Sequence, residues 1–341
     1  CRVAADSRGR LRGGWHPTPV RAYNVSALLK GTLLYLANRR PVHRLITQHD
    51  LLRGLAQRYV AGEELADGIV VAATLNTQGL QVSLDHLGES VTNAHEASRA
   101  VSAYLDALEA IAREQVEANI SLKLTQLGLD LSYDMCVAHL RKILERARAL
   151  DIFVRIDMES SAYTQRTLDV HRALWQEGFR NVGIVLQAYL YRTAADVERA
   201  IEEAIQVRLC KGAYLEPARV AYPNKADVDA NFERLMYRLL TQGNHPAIAT
   251  HDERLIVRAQ DIARRENIGP ERFDFEMLFG VRRDLQLRLV RNGYRLRVYL
   301  PYGKEWYPYL VRRLAERPAN VAFFVRTLVS EALARRRDGQ M

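Results

Sequence analysis

The feature that most narrows the fold is a repeated two-part pattern. From residue 69 onward, short apolar or alternating runs recur, and an amphipathic stretch follows each one. The runs are 81–84, 120–124, 153–156, 182–187, 206–210, 247–250, 273–277 and 295–300. The helical stretches are 93–117, 133–150, 164–177, 194–204, 227–241, 253–266, 282–292 and 304–316. Parallel strands need a long crossover between them, so strands alternating with helices of this length predict βαβ units and a parallel sheet. Eight such units in about 250 residues is the count that closes a barrel with its helices outside. The competing arrangement is an open, doubly wound sheet. The expected fold is therefore α/β, a (β/α)8 (TIM-like) barrel.

Ahead of the barrel, residues 21–68 read as short helices, 26–37 and 50–60, which form an N-terminal helical arm. Residues 1–20 are basic, rich in Gly and Pro, and read as disordered. The expected division is thus 1–20 disordered, 21–68 arm, 69–330 barrel and 331–341 C-terminal tail. No sequence repeat and no low-complexity tract is evident. Residues 1–19 lack the apolar segment of a secretory signal. The chain starts at Cys1 rather than Met, which reads as a fragment or a processed form.

Composition removes several classes. At 48% hydrophobic and 26% charged residues, the chain builds a large core and a soluble surface. No apolar run approaches the ~20 residues of a membrane-spanning helix. The 3 cysteines, Cys1, Cys136 and Cys210, form no C-x-x-C pair, which points to a reducing compartment and no metal cluster. The net charge is +9. Its cations are interleaved with acids, as around Glu198-Arg199 and Glu202-Glu203, the pattern of solvated helix faces. No basic block carries interleaved aromatics, so nucleic acid is not expected. Weak attraction to an anionic lipid surface is.

In such a barrel the chemistry sits at the carboxyl ends of the strands. Read in order, those ends carry Asp85-His86-Leu87-Gly88-Glu89, Lys123 with Thr125-Gln126, Asp157-Met158-Glu159 and Gln187-Ala188-Tyr189. Then come Arg208 with Lys211-Gly212-Ala213-Tyr214, Thr250-His251-Asp252, Glu276-Met277-Leu278-Phe279-Gly280, and Tyr299 with Pro301-Tyr302-Gly303. Any one of these reads equally as a surface loop residue or a barrel ion pair. Polar groups at all the strand ends are harder to dismiss. Lys123, Asp157 and Arg208 lie within otherwise apolar strands, and buried charges require partners or a charged ligand.

The glycine fingerprint of dinucleotide folds, the phosphate-loop signature and His-Glu-x-x-His are all absent. Strand-end Asp, Glu and His are possible ligand types for a divalent ion, but the histidines are scattered and basic groups dominate, so no metal is expected. The basic rim favours an anion, with Lys123, Arg312 and Arg313 as candidates. Adjacent arginines do not share one helical stripe. One can fork onto a carboxylate while the other approaches from the side. A solvated arginine pair is the competing reading.

Six segments occur together. They are Ser121-Leu122-Lys123-Leu124-Thr125-Gln126-Leu127-Gly128, Arg155-Ile156-Asp157-Met158-Glu159, Arg208-Leu209-Cys210-Lys211-Gly212-Ala213-Tyr214, Ala249-Thr250-His251, Phe275-Glu276-Met277-Leu278-Phe279-Gly280 and Tyr309-Leu310-Val311-Arg312-Arg313-Leu314. In this order they resemble the proline dehydrogenases, over about residues 20–330. The length is similar to that of the monofunctional bacterial enzymes, with no room for the aldehyde dehydrogenase domain of the bifunctional ones. The resemblance implies a distorted (β/α)8 barrel that holds FAD non-covalently and has no Rossmann domain. It implies oxidation of L-proline to Δ1-pyrroline-5-carboxylate, hydride transfer to flavin N5 and electron transfer to a membrane quinone. This is the first step of proline catabolism to glutamate.

Carried over by residue, the resemblance places Lys123, Arg312 and Arg313 on the proline carboxylate, with Asp157 ordering Lys123. Tyr299, Tyr309, Leu278, Leu209 and Tyr214 wall the ring, and Tyr309 crowds its far side and helps reject hydroxyproline. Asp157 and Arg208 are the catalytic candidates, with Arg208 donating toward flavin N5. Lys211 puts positive charge near the cofactor, and Met158, Gln187, Gly212, Ala213, Thr250 and His251 supply further FAD contacts. Glu89 pairs with Arg312 and gates the pocket; the competing role is an acid at a helix N-terminus. Two positions depart from the family pattern: Asp252, where Asn is common, and Cys210, where an aliphatic residue is usual. No side chain stands out as a base for the amine proton, which leaves solvent to take it.

The expected setting is cytoplasmic, on the inner face of the bacterial membrane, with a quinone and pyrroline-5-carboxylate dehydrogenase as partners. The rivals are a folate-reducing flavin barrel, a metal-dependent barrel lyase or aldolase, and an inactive scaffold. The paired arginines and the tyrosines favour a small carboxylate over a pterin, and the intact set of charged residues argues against a scaffold.

Overall fold

The computed structural model describes residues 58–315, apart from the side chains of Arg312, Leu314 and Ala315. The expected disordered residues 1–20, residues 21–57 of the arm, residues 316–330 and the tail 331–341 lie outside the described residues. The chain divides into two compact units, and one of them runs from His49 to Trp306. It contains a closed barrel in which each strand pairs with its sequence neighbours and the last pairs with the first. Every pairing is parallel. The open-sheet alternative is thereby set aside.

Helix α1 (Leu65–Asn76) precedes β1 (Gln81–His86), α2 (Ala94–Arg113), β2 (Ala118–Leu122) and α3 (Tyr133–Ala149). Next come β3 (Val154–Ile156), α4 (Ser161–Gln176), β4 (Val182–Gln187), α5 (Thr193–Glu202), β5 (Val207–Cys210) and α6 (Lys225–Gln242). The series ends with β6 (Ala247–Ala249), α7 (Glu253–Arg265), β7 (Asp274–Leu278), α8 (Arg283–Arg291), β8 (Leu296–Tyr302) and α9 (Trp306–Ala315). From Tyr307 on, α9 belongs to the second unit. Side-chain caps fix several helix starts: Asn93 accepts from the Glu96 amide at 3.0 Å, Ser132 from Met135 at 3.3 Å and Asp252 from Arg254 at 3.2 Å.

The strands alternate sharply. One set of side chains is aliphatic or aromatic, including Val82, Leu84, Ile120, Leu122, Val154, Ile156, Leu209, Ile248, Phe275, Val298 and Leu300, all nearly inaccessible. These join one apolar cluster with helix residues such as Leu108, Leu140, Leu144, Leu174, Phe232 and Leu289. Since successive side chains point to opposite faces, the other set faces the barrel axis. That set includes Ser83, Asp85, Ser121, Lys123, Arg155, Arg208, Asp274 and Glu276, all buried. The apolar core therefore lies between strands and helices. Burying each aliphatic side chain there contributes about 1.5–3 kcal/mol. The axis itself is polar.

Helix α1 has no counterpart among the expected elements and runs across the expected arm–barrel boundary at residues 68/69. Its sequence, Leu-Ala-Asp-Gly-Ile-Val-Val-Ala-Ala-Thr-Leu-Asn, is apolar almost throughout and rich in β-branched residues. Such a run does not display a clean helical stripe. It lies against β1 and β8, and a Cβ on Gly68 would stand 3.3 Å from both Leu84 and Tyr302, so the glycine allows close approach. The helix thus covers the seam where the barrel closes.

His171 on α4 is buried and stacks on Trp175 with ring centroids 5.4 Å apart. Its Nε2 has no hydrogen-bond partner among the described residues. It lines a small cavity with Arg172, Asp196, Arg199 and Glu203. Burial pulls its pKa down to about 4, whereas in the unfolded chain it titrates near 6.5. Between those values the unfolded chain binds a proton that the folded one refuses, so stability falls as pH drops from about 6.5 toward about 4. Thermal melts followed by circular dichroism across this window should show the midpoint falling, and His171→Gln should flatten the fall. An equal slope in the variant would reject the assignment.

Candidate active site

The axial layer is organised around Arg208, which projects from β5 and is 4% exposed. Its Nε donates to Glu276 Oε2 at 2.6 Å, and its Nη1 to Asp157 Oδ1 at 2.7 Å. Its Nη2 donates to Ser83 Oγ at 3.1 Å and to Ser121 Oγ at 2.9 Å. These partners come from β7, the end of β3, β1 and β2, so one guanidinium ties opposite sides of the barrel together. Burial alone would disfavour its charge. Glu276 and Asp157 outweigh that and hold its pKa above the ordinary arginine value. Asp157 also accepts from the Tyr299 hydroxyl at 2.7 Å, and the Arg208 guanidinium lies 5.3 Å from the Tyr299 ring centroid.

Lys123 follows β2, at the same end of the barrel. Its Nζ donates to Asp85 Oδ1 at 3.2 Å, and both side chains are buried. Burial would lower its pKa, but Asp85, then Asp157 and Glu89, raise it above the usual lysine value. It therefore stays an ammonium at neutral pH. Asp157 acts on Lys123 through charge. Its hydrogen bonds go to Arg208 and Tyr299, so the expected ordering of Lys123 falls to Asp85. Asp85 Oδ2 is buried with no partner among the described residues.

The loops past the strand ends carry the remaining groups. Lys211 Nζ donates to Asp229 at 2.5 Å and to Asp252 at 3.1 Å. Lys225 and Arg254 pair with the same two acids, so Lys211 is held inside a mixed-charge cluster. The Leu278 amide donates to His251 Nε2 at 2.9 Å, which places the histidine proton on Nδ1 when the ring is neutral. The Thr250 hydroxyl accepts from the Asp252 amide at 3.1 Å. Gln187 ends β4 and is buried, and its Oε1 has no partner among the described residues. Gly212 has φ +112°, and a Cβ there would meet the Tyr189 ring at 2.3 Å. Met158 is buried after β3, while Ala213 and Tyr214 lie in the loop after β5. Burial pushes the Cys210 thiol up to about 12, in keeping with a packing role.

The structure thus brings together Lys123, Asp157, Arg208 and Tyr299 at the barrel mouth, with Met158, Gln187, Lys211, Gly212, Ala213, Tyr214, Thr250, His251 and Leu278 on the strand ends and loops around it. Leu209 is buried among the outward-facing apolar residues, away from any ring-walling position. Glu89 is exposed in the loop after β1. Tyr309 and Arg313 stand on α9, where the Arg313 guanidinium lies 5.3 Å from the Tyr309 ring centroid. The Arg312 side chain, and with it the expected pairing to Glu89, lies outside the described residues. Asp85, Glu276, Ser83 and Ser121 had no role from sequence. The available signal was their recurrence at alternate strand positions. Among the described residues no cluster of His, Cys, Asp and Glu forms a metal site.

Comparisons with known proteins converge on one family. The family model described as Proline dehydrogenase matches residues 70–326. Proline dehydrogenase 1 of Bacillus subtilis (strain 168) is 38% identical over 304 residues, covering 89% of this chain and 100% of that protein. Proline dehydrogenase of Deinococcus radiodurans is 38% identical over 309 residues, covering 89% and 99%. The crystal structure of proline utilization A from Bdellovibrio bacteriovorus superposes with a TM-score of 0.74 at 26% identity, covering 86% of this chain. The chain spans only 36% of that larger protein. This chain belongs to the proline dehydrogenase family.

Proposed function

We propose that this chain oxidises L-proline to Δ1-pyrroline-5-carboxylate, using non-covalently bound FAD and passing the electrons to a membrane quinone. The observation that carries this reading is the buried pair of cations, Lys123 and Arg208, held charged at the strand ends of a barrel whose family is that of the proline dehydrogenases. The donor set fits a flavin. Gln187 Oε1 is a buried acceptor without a partner among the described residues. Four N–H groups of Arg208 are engaged, and a guanidinium carries five. Among the described residues, one hydrogen, on Nη1, is left for a ligand.

Gln187, Met158, Lys211, Gly212, Ala213, Thr250 and His251 would hold the cofactor. When bound, FAD supplies the two-electron acceptor, with N5 as the hydride-accepting atom. Arg208 would be among the residues that hold the flavin, and its positive charge would favour the electron-rich reduced form. Asp157 holds Arg208 and Tyr299 in one hydrogen-bonded array. Lys123, fixed by Asp85, takes the substrate carboxylate. The family resemblance would give Arg312 and Arg313 to the carboxylate and Glu89 to Arg312 as a gate. Tyr299, Tyr309, Tyr214 and Leu278 enclose the ring. Lys123 is already protonated and cannot accept the proline amine proton, which leaves to solvent.

The protein acts at the cytoplasmic face of the membrane. No helix among the described residues is long and apolar enough to cross a bilayer, and the net charge of +9 draws the surface to anionic lipid. Pyrroline-5-carboxylate dehydrogenase is the partner that consumes the product.

Anaerobic addition of L-proline to the FAD-loaded protein should bleach the flavin band, and D-proline or NADH should not. Bleaching by NADH alone would move the assignment to a folate-type reductase. Lys123→Met removes one charge-assisted bond worth about 1.5–3 kcal/mol, so KM for proline should rise about 10- to 100-fold; steady-state kinetics with an unchanged KM would remove Lys123 from the carboxylate site. Asp252→Asn keeps the helix cap and releases Lys211 from one of its two acids. Fluorescence titration of the apoprotein should show FAD binding tightened about threefold to tenfold, as expected for about 1 kcal/mol of regained attraction between partly exposed charges. Weaker binding would show that the Asp252–Lys211 pair builds the cofactor site.

A further inference from the structure

Arg208 is the donor on which the proposed flavin chemistry turns, yet a buried guanidinium on a flexible stem has several rotamers. The axial layer removes that freedom. Glu276, 3% exposed, accepts from Nε at 2.6 Å. Ser83 and Ser121, both fully buried, accept from Nη2 at 3.1 and 2.9 Å and stand 2.9 Å from each other. The guanidinium is planar, so anchoring Nε and Nη2 along one edge fixes its plane and its rotation. Only Nη1 is left to face Asp157 and a ligand. Arg155, a second buried arginine facing the axis, is closely packed. Gly183 makes room for Arg155, and a Cβ at position 183 would meet Arg155 Nη1 at 2.5 Å.

We infer that Glu276, Ser83 and Ser121 are positioning residues for the oxidation: by occupying the Nε and both Nη2 hydrogens of Arg208 they leave Nη1 to Asp157 and the cofactor. None of the three bonds Lys123, whose hydrogen bond goes to Asp85. Their effect therefore falls on the redox step and not on the grip on the substrate carboxylate. This rests on the proposed flavin-dependent proline oxidation, and the test separates the two ideas.

The informative variant is Ser83→Ala/Ser121→Ala, which deletes both Nη2 acceptors without changing net charge. Four quantities are compared with the parent FAD-loaded protein: the anaerobic rate of flavin reduction by L-proline, KM for proline, the midpoint potential of the bound flavin, and the thermal midpoint. Reduction should slow by about 10- to 100-fold, a share of what losing one preorganised donor costs. KM should stay within about twofold, since uniform binding is untouched. The flavin potential should fall, because a wandering cation stabilises the reduced form less. Glu276→Gln keeps an acceptor of the same shape and should show the same split between rate and KM. It also serves if the double variant fails to fold, as does Ser121→Ala alone. A parent protein that L-proline does not bleach would overturn the flavin reading and this inference with it. A bleached parent, with variants that lose thermal stability but keep the parent rate and potential, would overturn the positioning role alone.

Discussion

Everything at the centre of this molecule follows from placing a guanidinium on the axis of a closed barrel. An ion there is removed from water, and the penalty is several kcal/mol unless its donors and charge are met. Arg208 is met by two carboxylates and two hydroxyls from four different parts of the barrel. The strands that carry those partners must hold their register for the hydrogen bonds to form, because a slip of one residue would turn every polar group toward the helices. The arginine is therefore a register pin as well as a functional group.

The polar axis has a second consequence. Barrels of this class commonly fill their interior with branched apolar layers. Here the axis holds Arg208, Asp157, Glu276, Lys123 and Asp85, with Arg155 and Asp274 farther toward the other end. Apolar stabilisation is displaced outward, to the shell where Leu84, Leu122, Ile156, Phe275 and Leu300 meet the helices. Helix α1 completes that shell at the seam between β8 and β1. The division suits catalysis: an outer shell supplies stability, and an inner layer supplies a preorganised array of charges in a low-dielectric setting, where electrostatic effects are strongest.

That array alternates in sign. Lys123 pairs with Asp85, and Arg208 lies between Glu276 and Asp157. Each cation is kept charged by its own acid, so neither depends on a ligand to remain ionised. In the proposed function, the ammonium stands ready for the carboxylate of a small zwitterion, and the neighbouring guanidinium keeps a donor for another group. Around the mouth, Lys211 is shared between Asp229 and Asp252, which tempers the positive potential that the cofactor would meet.

The sequence by itself determined the alternation of strands and helices, the closure count and the family signature. These are local or ordered signals: a hydrophobic period within one segment, or motifs at characteristic spacing. It missed α1, whose nearly uniform apolar run has no legible stripe, and it gave Lys123 to Asp157 where the structure gives it to Asp85. Only the tertiary structure decided which charges meet. Ser83, Ser121, Asp157, Arg208 and Glu276 come from separate strands or their ends, with Arg208 and Ser83 125 residues apart, and no local period relates them. Their convergence is set by barrel closure and register, which turn side chains of distant segments toward one axis.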